Sequence, residues 1–108
     1  MATNYKVLGQ SAPAATTNTD LYTCATANGA VGSTLAICNR GATTTARVAI
    51  RPAGAAISNQ HYICYDVSVA AADTLFLTIG VALANTDVVT VYANTANTSF
   101  SLFGSELT

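Results

Sequence analysis

Apolar positions along this chain recur at every second residue, the spacing of pleated strands with one buried face. In residues 73–81, Leu75, Leu77, Ile79 and Val81 share one face, and Thr74, Phe76, Thr78 and Gly80 share the other. In residues 87–93, Val89 and Val91 oppose Val88, Thr90 and Tyr92. Residues 99–103 place Phe100 and Leu102 together. The earlier segments follow the same rule. Residues 4–9 alternate weakly around Tyr5, Val7 and Leu8, and residues 20–24 carry Leu21 and Tyr22. Residues 33–39 align Leu35 with Ile37. Residues 44–51 turn Val48 and Ile50 inward and Arg47 and Arg51 outward. Residues 60–69 carry Tyr62, Ile63, Tyr65, Val67 and Val69. β-Branched and aromatic residues suit such segments.

The breaks between these segments carry turn chemistry. Residues 27–30 contain an Asn-Gly pair, and residues 39–41 end in a glycine available for positive φ. Pro52 opens a longer loop, because proline cannot donate to a ladder. Asp73 and Asp87 each open a strand after a stretch of small residues. About eight short strands with polar turns, and no helical pattern, predict an all-β fold. The expected architecture is an antiparallel β-sandwich, jelly-roll-like or immunoglobulin-like. Residues 1–108 form one domain, with 1–19 as a partly extended N-terminal segment. Residues 11–19 read as an Ala/Thr linker around Pro13, either extended or reaching onto a neighbour.

Composition changes the picture of the surface. Only 8% of residues are charged, and Thr, Asn and Ser fill the gap. An ordinary soluble domain carries about 25%. Such a surface is poor at keeping molecules apart, which points to a protein that lives against other protein. The plainer alternative is an Ala/Thr-rich soluble domain. The net charge is −1, and the cations Lys6, Arg40, Arg47 and Arg51 form no basic run. Nucleic acid is therefore not an expected partner. The N-terminus lacks a charged segment followed by an apolar one, and apolar runs stop short of a membrane span. The expectation is a protein made in the cytoplasm and soluble until it assembles, with no membrane partner.

Candidate chemistry is sparse. Cys24, Cys38 and Cys64 are far apart and odd in number, which predicts free thiols. The single histidine, His61, lies three residues from Cys64. On a strand that spacing separates the two onto opposite faces, so neither a metal site nor a Cys–His nucleophile is expected. His61 reads as an exposed ring. The carboxylates are scattered, and Asp20, Asp73 and Asp87 sit where aspartates bond turn amides. No glycine-rich loop has phosphate-binding spacing. The expectation is a non-enzyme without a cofactor.

The remaining candidates are interface residues. Tyr62 and Tyr65 fall on opposite faces by the same count, so one packs inward while the other either meets a partner or stands alone at the surface. Arg47 and Arg51, with Arg40 near, are candidate anchors. Alternatively, the arginines only guard an edge against strand-to-strand aggregation. The candidate interface is therefore Arg40, Arg47, Arg51, His61, Tyr62 and Tyr65.

Residues 21–23, 31–41, 46–54, 61–63, 87–93 and 100–106 together resemble small virion structural proteins of tailed bacteriophages, including phages of cyanobacteria. The resemblance covers nearly the whole chain and rests on strands and turns, with no catalytic signature. Relatives follow the Leu-Tyr-Thr strand with Val-Pro and a glycine turn, whereas this chain has Cys24 and Ala25 there. The resemblance implies a part present in many copies on a particle. One address is the capsid surface, as a cement or decoration protein on the major capsid protein, with a homotrimer as the matching arrangement. The other is the tail, as a fibre, baseplate or adaptor component, or a receptor- or carbohydrate-binding module using Tyr62, Tyr65 or Tyr92.

Overall fold

A computed structural model describes residues 2–108. Eight strands account for most of it: β1 (Thr3–Ser11), β2 (Thr19–Thr23), β3 (Ala30–Asn39), β4 (Thr44–Arg51), β5 (Tyr62–Val69), β6 (Thr74–Leu83), β7 (Val88–Ala93) and β8 (Thr98–Leu107). Two short 3-10 turns, Pro52–Gly54 and Asn59–His61, lie between β4 and β5.

The strands form two antiparallel four-stranded sheets, ordered β1-β8-β3-β6 and β2-β7-β4-β5. Four nested pairs, β1 with β8, β2 with β7, β3 with β6 and β4 with β5, describe one long hairpin wrapped around a common core. That is the jelly-roll connection rather than the immunoglobulin one, because only β4 and β5 pair with a sequence neighbour.

The period-two rows supply the core. Leu35, Ile37, Phe100 and Leu102 of the first sheet face Ala46, Val48, Val89 and Val91 of the second, and each is at most 1% exposed. Burying a side chain of this size stabilises by about 1.5–3 kcal/mol. β4 has the limits its pattern predicts. β8 runs four residues beyond 103 to Leu107, where Gly104-Ser105-Glu106 hides the alternation. The register slips opposite this stretch, between Gly32 and Thr34.

The Asn-Gly turn forms, with Gly29 at φ 90° and its N–H bonded to Thr26 O at 3.1 Å. Gly41 has no positive φ; a Cβ there would press on the Asn97 side chain. Residues 12–18 turn back on their own chain: Pro13 is buried, and the Thr16 N–H donates to Ala93 O at 2.8 Å. Residues 3–11, within the expected N-terminal segment, are the edge strand β1 paired along β8.

Candidate functional site

Each sheet turns one face to solvent, and the two faces differ in chemistry. On β2-β7-β4-β5 the charges are paired. Arg47 Nε donates to Asp66 Oδ1 at 2.7 Å and its Nη2 to Oδ2 at 3.3 Å. The same guanidinium lies 4.2 Å from the Tyr65 ring centre and 4.4 Å from that of Tyr92, both cation–π contacts. Tyr62 meets Tyr65 edge to face at 4.9 Å. The Asp66 bond raises the Arg47 pKa further above its usual value. Nearby, Arg51 Nη2 donates to Asp20 Oδ1 at 2.8 Å and Arg51 Nε to Thr90 Oγ1 at 2.9 Å. Thr90 Oγ1 in turn donates to the same Asp20 oxygen at 3.1 Å.

Arg47 and Arg51 thus stand outward, as their alternation predicts, and the structure gathers Tyr62 and Tyr65 around Arg47. The opposite-face expectation for the two tyrosines fails. Tyr62 pairs with Ala49 and Cys64 with Val48, so β5 spends an extra residue, Ile63, where β4 spends none. That bulge returns Tyr65 to the side of Tyr62. Asp66, at φ 54°, adds a second irregularity. Asp20 departs from its expected role as well, bonding side chains of β4 and β7 rather than turn amides. Asp73 and Asp87 do hold turn amides, those of Thr74, Ala53 and Ala84.

Two expected interface residues sit elsewhere. His61 is buried, not exposed, and caps a 3-10 turn: its Nδ1 accepts the Ser58 N–H at 3.2 Å. Arg40 lies beyond the end of β3, with its guanidinium reaching Ala96 O at 3.4 Å. It joins neither of the arginine clusters on β4.

The outer face of β1-β8-β3-β6 carries no charge. Cross-strand register sets Ser105 between Tyr5 and Val31, Phe103 between Val7 and Thr34, and Ala36 between Phe76 and Ser101. Tyr5 is 86% exposed and Phe76 66%, with Val7, Val31 and Phe103 also open to solvent. The only charged residues of these four strands, Lys6 and Glu106, belong to the inner side. There Glu106 accepts Tyr22 Oη at 2.6 Å and Lys6 Nζ at 3.1 Å. These bonds, Tyr22 first, hold the Glu106 pKa below its usual value. Burial, and then the Glu106 bond, push the Tyr22 phenol well above its own. Sequence reasoning missed this cluster. Lys6 and Glu106 are 100 residues apart, and only the pairing of β1 with β8 joins them.

Among the described residues, no three of His, Cys, Asp and Glu gather as a metal site. Cys24 is buried, and Cys38 and Cys64 are half-buried free thiols. Burial raises the Cys64 pKa, which disfavours its thiolate. A shallow depression between β1 and β8 is lined by uncharged residues, among them Gln10, Ser99 and Ser101. Among the described residues, no helix is long and apolar enough to cross a membrane. No family model, curated protein or solved structure matches this chain.

Proposed function

We propose that this chain is a structural protein of a tailed-bacteriophage virion. It acts as a capsid cement or decoration subunit that docks on the major capsid protein shell from outside and stabilises it. The observation that carries this reading is the charge-free outer face of β1-β8-β3-β6. Docking there strips no ion of water, a step that costs several kcal/mol per charge. Tyr5, Phe76 and Phe103 give that face the aromatic anchors on which interfaces depend. The resemblance to small virion proteins supplies the partner. The subunit does no chemistry in this reading. It is made in the host cytoplasm and works by binding the assembled shell better than its loose parts, so that the shell is stabilised by mass action.

Particles lacking this chain, heated beside complete ones, test the proposal. Earlier shell rupture, restored by adding the protein back, supports it; identical rupture curves overturn it.

A tail-borne sugar-binding module is the second reading, favoured by the gathering of Tyr62, Tyr65 and Tyr92. It ranks lower because Arg47 already lies over the rings of Tyr65 and Tyr92 that a sugar would need. Copy number separates the two addresses: hundreds per particle fit the shell, and a few tens or fewer fit the tail.

A further inference from the structure

Each sheet has two edge strands, and three of the four edges are guarded. β1 carries Lys6 and a register break after Val7. β2 has only five residues, includes Asp20 and is itself broken in register. β5 is bulged and turns Asp66 outward at φ 54°. Charges, bulges and shortness are the devices that stop edges from pairing with other chains.

β6 is different. Its ten residues, Thr74–Leu83, contain no charge and no proline. Its single irregularity, Gly80 at φ 55°, leaves residues 74–78 in unbroken register with β3. The row Leu75, Leu77, Ile79 and Val81 points toward the core yet is only partly buried. The sandwich is thus left open along this edge, and backbone groups on the outer side of β6 have no strand partner among the described residues.

We infer that β6 pairs with β6 of a second copy, antiparallel, with Phe76 beside its symmetry mate. Three features select a second copy as the occupant. An uncharged strand meets its own copy without like-charge repulsion, which would disfavour identical charged edges. Core-facing residues must meet core-facing residues, which restricts the register to those with one residue on the two-fold axis. Centring on Phe76 pairs Leu75 with the other copy's Leu77 and Thr74 with its Thr78, and keeps both bulges clear of the paired stretch. The exposed Phe76 rings then become a cross-strand aromatic pair on the outer face. Identical edges paired in this way have only a two-fold axis. The unit is a dimer, unlike the trimer the bacteriophage resemblance suggests. It joins two charge-free faces into one eight-stranded surface that would dock bivalently. The inference rests on the edge alone and stands apart from the question of what the face docks on.

The test is the mass of the purified full chain by light scattering, with hydrogen exchange of residues 74–78 followed against concentration. At about 100 µM, a weak-affinity regime, the expected mass is that of two chains. Amide exchange in 74–78 should slow at least tenfold relative to dilute protein. Phe76→Lys sets two lysines against each other and should give one chain with the wild-type circular dichroism spectrum. Tyr5→Ser, on the same face but the opposite edge, should remain a dimer. A single-chain mass at every concentration overturns the inference. So does a dimer that survives Phe76→Lys, or one that leaves exchange in 74–78 unchanged.

Discussion

A Cβ on Gly104 would collide with the backbone of Val31 and Gly32 on the neighbouring strand, which has no side-chain freedom to give way. Gly104→Ala should therefore cost at least the ~1–3 kcal/mol of an overpacked core, read as a lower urea midpoint. Glu106 makes a different kind of prediction. Its folded-state pKa is depressed by Tyr22 and Lys6. The stability it contributes is present above the ordinary carboxylate value of about 4.3 and is lost as pH falls through the lower, folded value. Tyr22 has the opposite sign. Its raised folded pKa leaves its contribution intact below about pH 10 and erodes it as pH climbs further. Thermal melts across pH should show Glu106→Gln flattening the acid limb and Tyr22→Phe flattening the alkaline one. Side-chain placements were legible where alternation decides them, as for the outward facing of Arg47 and Arg51. They were hidden where a partner arrives from a distant strand, as Glu106 does for Tyr22. They were misread where one inserted residue, Ile63, reversed the count between Tyr62 and Tyr65.

At the scale of elements, the alternating segments became strands because one face of each could be buried. The pairing order was less legible. Nothing in the apolar rows distinguishes β3 beside β8 from β3 beside β2, since either supplies an apolar neighbour. Some connections depend on a single polar side chain. Asn39 is 2% exposed. Its amide donates to the carbonyls of Ala42, Val69 and Ala70, and its Oδ1 accepts the Gly41 N–H at 3.0 Å. It ties the β3–β4 turn to the end of β5. Asn39→Ala strands several buried backbone groups, each worth roughly 1–3 kcal/mol when left unbonded. The expected result is a loss of about 2–4 kcal/mol in chemical unfolding, with early exchange of the amides near 39–44 and 69–70. An unchanged midpoint would mean that water replaces the amide.

Over the whole molecule the ion pairs are sorted, while Arg40, Asp73 and Asp87 lie in the connections between strands. Arg47 with Asp66 and Arg51 with Asp20 occupy one outer face, Lys6 with Glu106 the inner rim, and the opposite face has none. The low charge content was visible in the composition, but the absence of charge from one sheet face was not. Which strands share a sheet decides it, and that follows from the jelly-roll order. We propose the charge-free face as the docking surface. Binding of purified protein to shells stripped of it puts this to the test, comparing wild type, Phe103→Lys on the charge-free face and Arg47→Ala on the charged one. The predicted result is that wild type and Arg47→Ala bind alike, while Phe103→Lys, folded by circular dichroism, loses at least tenfold in affinity. Undiminished binding by Phe103→Lys, or loss of binding in Arg47→Ala alone, would contradict it.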